Sequence, residues 1–186
     1  MKDSAWTQPE ERYARLTTPY EVGPDQKLRR KSEADKRRLN FSDRKLTMGG
    51  AGLASTADDY MRFARMLLGH GTLDGVRILK PSTVKLMTTD QLDPRMTERS
   101  WLPTKGNGGY GFDMFVRNGQ PQNSVENRGS AGEFFWDGAW STLFWVDPAN
   151  AMAVVFLVQK DPYDFSLHHD IRQAVYGPDY LGPKGD

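Results

Sequence analysis

The sequence predicts an α+β fold, an antiparallel sheet flanked by helices, and three observations lead there. Tyr60, Phe63, Ala64, Leu67 and Leu68 recur at the spacing of one helical face. The C-terminal third is instead rich in aromatic and β-branched residues, in runs that read as strands. From His168 to Tyr176 the helical spacing returns, with Ile171 and Val175 four residues apart. Helices, then strands, then a closing helix is an α+β order rather than an alternating one.

Each element has its own signals. Ser55-Thr56 before Ala57-Asp58-Asp59 is a hydroxyl N-cap followed by acids, which the helix dipole favours in a first turn. Gly69 and Gly71 end that helix, Arg62 and Arg65 fall off its apolar stripe, and His70 sits where a cation offsets the dipole. Asp74-Gly75 marks a turn before an extended piece at Val76–Leu79. Pro81 suits a first helical position, so Pro81–Thr88 reads as a short helix with Val84, Met87 and Leu86 as its core candidates. Asp90–Gly109 loses all periodicity and reads as a loop. Strands are expected at Tyr110–Val116, Ser124–Arg128, Glu133–Val146 and Ala151–Gln159, with Asp147-Pro148-Ala149-Asn150 turning the last two into a hairpin. Val154–Val158 is apolar without alternation, as in a strand covered on both faces.

Composition narrows the function. The 186 residues suit one domain, 1–186, and 21 aromatics support a packed core. Twenty-five basic and 24 acidic residues leave a net charge of +1, which argues against a dedicated nucleic-acid binder. The charge is uneven, however. Nine basic residues against three acids lie between Lys27 and Lys45, so residues 24–46 read as a basic loop segment. No aromatic platform interleaves with those charges before Phe41, so a solvated loop is expected rather than a nucleic-acid arm. The absence of cysteine excludes disulfides, thiolate metal sites and a cysteine nucleophile. The N-terminus lacks an apolar stretch of signal-peptide length, and the longest apolar run, Ala151–Val158, is too short to span a bilayer. The chain reads as soluble, with no membrane partner.

Candidate chemistry is sparse. His168 and His169 are adjacent and point to different helix faces, so no metal site or cofactor is expected. Gly129-Ser130-Ala131-Gly132 lacks the first glycine of a nucleophile elbow. Ser42-Asp43-Arg44-Lys45 matches Ser-x-x-Lys, a spacing that can set an amine beside a hydroxyl on one helical turn. Its charged interior and basic flanks are unlike the buried helix start a nucleophile needs, so it is set aside and no catalytic residue is assigned.

Three stretches together resemble one family. Gly49-Gly50-Ala51-Gly52-Leu53-Ala54-Ser55-Thr56-Ala57-Asp58-Asp59-Tyr60 runs into Phe63-Ala64-Arg65-Met66-Leu67-Leu68. Gly75-Val76-Arg77-Ile78-Leu79 follows, then Ser82 and Met87. Last comes Gly132-Glu133-Phe134-Phe135-Trp136-Asp137-Gly138-Ala139-Trp140-Ser141-Thr142, leading to Phe144-Trp145-Val146-Asp147-Pro148. In this order they resemble the C-terminal part of serine β-lactamase-related hydrolases: class C β-lactamases, penicillin-binding carboxypeptidases and related esterases. The resemblance covers residues 1–175.

That resemblance implies an acyl-enzyme hydrolase acting on a small ester or amide. Its third motif, Lys-Thr-Gly or a Trp-Gly-Gly-like form, would fall on Trp136-Asp137-Gly138. These three and Ala139 are then the substrate-binding candidates. Ala139 would offer a backbone N–H to an oxyanion, Gly138 would let substrate approach the backbone, and Trp136 would line the acyl or alcohol pocket. Trp136 can also be read simply as a core strand aromatic. The family's Ser-x-x-Lys and Tyr-x-Asn motifs are expected upstream, since no tyrosine here is followed by x-Asn. A sheet of five strands is implied, with its first strands from that missing N-terminal part. A companion N-terminal chain or a homo-oligomer is therefore the expected partner, and a non-catalytic binding or assembly module is the alternative.

Overall fold

The computed structural model describes residues 1–32, 46–47, 49–96, 105–121, 128–180 and 182. Before the helices come two short strands, β1 (Tyr20–Val22) and β2 (Leu28–Arg30). Helix α1 (Ala57–Leu68), the hairpin β3 (Thr72–Leu73) and β4 (Val76–Arg77), and helix α2 (Pro81–Met87) follow. Five strands then build the main sheet: β5 (Gly108–Tyr110), β6 (Phe115–Arg117), β7 (Phe134–Asp137), β8 (Leu143–Asp147) and β9 (Met152–Phe156). Strand β10 (Lys160–Asp161) and helix α3 (Phe165–Tyr176) close the described fold.

Main-sheet strands lie side by side in sequence order and every neighbouring pair is antiparallel. Period-two alternation divides their side chains between two layers. Val116, Phe134, Phe144 and Val146 face α1 and α2, where they pack with Ala64, Leu67 and Val84. Phe115, Phe135, Leu143 and Trp145 face the other way, toward Ile171 and Tyr176 of α3. On β9, Ala153 and Val155 join the first layer while Val154 and Phe156 join the second, as expected for a strand covered on both faces. The predicted α+β class, an antiparallel sheet between helices, is the observed one.

Local chemistry explains the element boundaries. Thr56 Oγ1 accepts the Asp59 N–H at 3.2 Å and caps α1, whose buried residues include Ala64 and Leu67 of the predicted stripe. The Asp59 carboxylate accepts from the Lys2 and Asp3 N–H groups and from Ser4 Oγ, which ties the N-terminus to α1. Asp74 and Gly75 both take positive φ, 50° and 78°, as a two-residue hairpin with right-handed twist requires. Arg62 and Arg65 remain exposed, and both pair with Asp74.

Several expectations need correction. Tyr110–Val116 is not one strand: it breaks at Gly111–Met114, where Asp113 has φ 59° and the Gly111 N–H bonds Met114 O. Glu133–Val146 likewise folds back on itself through Gly138–Thr142 into β7 and β8. Those two breaks supply strands, so the five strands of the main sheet among the described residues lie within Gly108–Phe156. The basic segment 24–46 is not wholly loop, because β2 pairs with β1. On α3 the buried residues are His168 and Arg172, while Val175 is 40% exposed. The His70 side chain is exposed, and its backbone turns to φ 52° after α1. Ser42–Lys45, most of Ser124–Arg128 and the core of the basic segment lie outside the described residues.

The α3 layer is polar at one end. Glu133 and Arg172 are fully buried, with Arg172 Nη1 at 2.8 Å from Glu133 Oε1 and at 2.7 Å from Arg128 O. Tyr176 OH donates to Asp147 Oδ2 at 2.7 Å and accepts from Trp145 Nε1 at 2.9 Å. Burial, with Glu133 and Asp147 nearby, pushes the Tyr176 pKa far above its ordinary value, so the phenol stays a donor. Ser130 Oγ also donates to Asp147, at 2.8 Å, which assigns Ser130 a structural part.

Two stability outcomes are expected. Glu133→Ala removes the carboxylate that the buried Arg172 meets at 2.8 Å and the buried Arg117 at 3.5 Å, and should cost about 3–5 kcal/mol in urea unfolding, while adding Arg172→Met should recover only part of that loss. Gly109→Ala places a Cβ 1.9 Å from the Asp90 carboxyl carbon. Asp90 is held by the Tyr110 and Leu92 N–H groups and by Asn118 Nδ2, so this variant should lose about 1–3 kcal/mol in the same measurement.

Candidate functional site

Trp136, Asp137, Gly138 and Ala139 occupy the end of β7 and the turn that follows it. Strand alternation sets Trp136 on the side of Phe134 and Asp137 on the side of Phe135, while the Trp136 ring, at the strand end, packs against residues of both layers. Strand β6 pairs with β7 only at Phe134 and Phe135, so pairing stops before Trp136. The turn is closed by Gly138 N–H to Thr142 O at 3.0 Å and Ser141 N–H to Gly138 O at 2.9 Å. Ser141 takes φ 67°. A Cβ on residue 138 would lie 2.4 Å from Thr142 Oγ1, so glycine keeps this turn narrow.

Ala139 is exposed, and among the described residues its N–H has no acceptor. Trp136 is half-buried and meets the Tyr110 ring edge-on at a centroid distance of 5.2 Å. Tyr110 OH donates to Asp113 Oδ1 at 3.2 Å. Burial and the Asp113 charge raise the Tyr110 pKa, so it is a neutral donor at physiological pH.

Asp137 gathers a cluster that the sequence did not reveal. Lys105 Nζ pairs with Asp137 Oδ2 and lies 5.1 Å from the Trp136 ring centroid. Lys105 is 8% exposed, so Asp137 is the counter-charge that lets an ammonium stay there. Tyr163 OH donates to the same Oδ2 at 2.6 Å. Burial, followed by this bond and the Asp137 charge, pushes the Tyr163 pKa far above its ordinary range.

His168 stands behind the turn, 1% exposed. Its Nε2 lies 3.0 Å from Ser141 O, and a carbonyl only accepts, so Nε2 carries the proton. Its Nδ1 then faces Tyr163 OH at 3.3 Å and Asp137 Oδ2 at 3.8 Å. Burial lowers the His168 pKa, with Lys105 and Arg172 adding repulsion against the Ser141 carbonyl and Asp137, so the imidazole is neutral. Ser141 Oγ accepts the Asp164 N–H at 2.9 Å and donates to Lys160 O at 3.3 Å. On the outer side, Lys31 Nζ lies 5.3 Å from the Trp140 ring centroid and pairs with Asp161 at 2.5 Å.

The four sequence-derived site residues are therefore contiguous on one strand end, with Trp136 and Asp137 on opposite faces. Lys105, Tyr163 and His168 were missed. One signal was readable: His168, Arg172 and Tyr176 recur at i, i+4 and i+8, a polar stripe facing inward on α3. His169 does not join His168, and among the described residues no three His, Asp or Glu side chains gather as a metal site. A separate depression of about 470 Å³ opens beside Asp3, Arg15, Asp59 and Arg62, at the start of α1 and apart from Trp136. Among the described residues no helix is long and apolar enough to cross a membrane.

Comparison with known proteins agrees with this architecture. The sequence profile of the Beta-lactamase family matches residues 1–176. Two Mycobacterium tuberculosis proteins, Rv1367c and MT1414, are each 41% identical to this chain over 131 residues, covering 69% of it and 32% of their own length. The chain thus spans about a third of these curated relatives. Among solved structures, the LovD6 mutant of simvastatin synthase from Aspergillus terreus superposes with a TM-score of 0.76 at 22% identity, covering 94% of this chain and 45% of that one. EstCE1, a hydrolase with promiscuous acyltransferase activity, gives 0.70 at 22% identity, covering 94% and 46%. At such identity these two speak to the fold alone. The family profile, spanning nearly the whole sequence, says more: this chain belongs to the beta-lactamase family.

Proposed function

We propose that the chain is the C-terminal, sheet-bearing portion of a serine hydrolase that cleaves a small ester, amide or lactam through an acyl-enzyme. In this reading Ala139 gives its N–H to the developing oxyanion, Gly138 lets the substrate approach the strand, and Trp136 with Tyr110 walls one side. Asp137 faces the other layer and acts as the electrostatic anchor of the strand end. The serine and its lysine, with the Tyr-x-Asn tyrosine, come from the N-terminal part of the family's fold.

One observation carries the reading. The Ala139 N–H is exposed and, among the described residues, without an acceptor, on a turn closed by the Gly138 and Ser141 N–H bonds. A backbone donor left open on a rigid turn can meet a negative charge without reorganising. The match of the Beta-lactamase family profile to residues 1–176 supports the class of chemistry. Esterase rather than lactamase action is favoured by Trp136 in the first position of the third motif.

Intact mass after exposure to a fluorophosphonate serine probe tests this directly. The chain alone should show no adduct, and native mass should exceed one chain, as expected of a portion that needs a partner. A stoichiometric adduct on Ser42 would overturn the assignment. In the complemented enzyme, Trp136→Ala should lower turnover of a p-nitrophenyl ester about tenfold or more, while Ser42→Ala leaves it unchanged. Hydrolysis absent on complementation, with the assembly intact, would instead favour the non-catalytic binding module.

A further inference from the structure

The turn that carries the Ala139 N–H is held at both ends by one short segment, Tyr163–His168. At its entry, Asp137 Oδ2 accepts from Tyr163 OH at 2.6 Å. At its exit, Ser141 O accepts from His168 Nε2–H at 3.0 Å, and Ser141 Oγ accepts the Asp164 N–H at 2.9 Å. Only Gly138, Ala139 and Trp140 lie between these anchors. Fixing both ends of so short a path fixes the direction of the N–H at its middle. A donor of this kind is worth most when its aim is set before charge develops.

The burial of His168 makes the same point from the energetic side. An imidazole removed from water costs free energy unless its nitrogens are engaged. Here the ring's one N–H, on Nε2, is spent on the turn, while the Tyr163 proton goes to Asp137 and Nδ1 lies 3.3 Å from that hydroxyl. An apolar residue would pack against Phe165 and Tyr163 at less desolvation cost, so the donor is the distinguishing property of the position. Both side chains act from the α3 side of the sheet, where Asp137 lies.

We infer that His168 and Tyr163 are positioning residues for the Ala139 N–H, acting through Ser141 O and Asp137 without touching substrate. The inference rests on the assignment of Ala139 as the oxyanion donor, and it extends the functional unit from β7 to the start of α3.

Amide hydrogen exchange on the full ¹⁵N-labelled chain provides the test, read at Gly138 and Ser141, whose N–H groups close the turn. His168→Leu keeps bulk but has no donor. It should speed exchange at both amides about tenfold while leaving Trp145 and Ala64 unchanged. His168→Gln restores an N–H and should bring both amides to within about twofold of the parent. Tyr163→Phe, at a position 40% exposed and so tolerant of change, should speed Gly138 more than Ser141.

Unchanged turn amides in His168→Leu would overturn the inference. So would acceleration spread evenly over β7, β8 and β9, the mark of a packing role, or a Gln variant as impaired as the Leu variant. If His168→Leu does not fold, Tyr163→Phe decides, and an unchanged Gly138 amide refutes the clamp. The readout needs no turnover. Absence of hydrolysis with an intact exchange pattern therefore removes the donor assignment, whereas a failed exchange pattern beside working hydrolysis removes the positioning role.

Discussion

The buried guanidinium of Arg172 is the constraint on which the α3 layer depends. Its carbon lies 4.6 Å from the Phe135 ring centroid and 4.5 Å from that of Trp145, on two adjacent strands. Its Nη1 reaches Glu133 and the Arg128 carbonyl. A charge so placed is costly to bury and is tolerated only in one geometry. That geometry fixes the rotation and the axial position of α3. His168 lies one turn earlier on the same face, so its alignment with Ser141 follows from that of Arg172. Leucine packing alone would allow a helix to slide; a charged plane between two rings and a carboxylate does not.

The two layers consequently have different characters. Facing α1, the sheet presents Phe134, Phe144 and Val146 to Ala64 and Leu67, an apolar contact that tolerates exchange of similar volumes. Facing α3, it presents Glu133, Asp137 and Asp147 to Arg172, His168, Tyr163 and Tyr176. Since Asp137 and Trp136 are neighbours on a strand, the turn is anchored through one layer and leaves the Trp136–Tyr110 side to whatever approaches it. Anchoring and access are thereby kept on opposite faces by nothing more than the pleat.

How much of this was legible follows from where the information lies. Helix α1 was readable because its cap, apolar stripe and glycine stop are all local. The hairpin at Asp147–Asn150 was readable for the same reason. The break at Gly111–Met114 was missed because three aromatics and a valine within seven residues outweigh Gly111 and Asp113 in a pattern argument. Glycine there is required by a distant atom, since a Cβ would lie 2.0 Å from Met87 O. The motif residues Trp136–Ala139 were found by resemblance, whereas Lys105 and His168 join them from 31 residues before and 32 after Trp136. Such partnerships are a property of the folded layers. A search tuned to apolar periodicity passes over the polar stripe His168, Arg172 and Tyr176, which has the same spacing.

The order of strands in the main sheet has a kinetic consequence. Each strand pairs with the next one along the chain, so the sheet is a meander whose connections are short except for the one between β6 and β7. The contact of α1 with β8 and β9 is different, spanning from Ala57–Leu68 to Leu143–Phe156. Chain entropy opposes that closure until strands exist to receive the helix. The meander is thus the natural nucleus of this polypeptide, and the docking of α1 is its late step. Residues of β7 and β8 are expected to have high φ-values, while those of α1 affect mainly the unfolding rate.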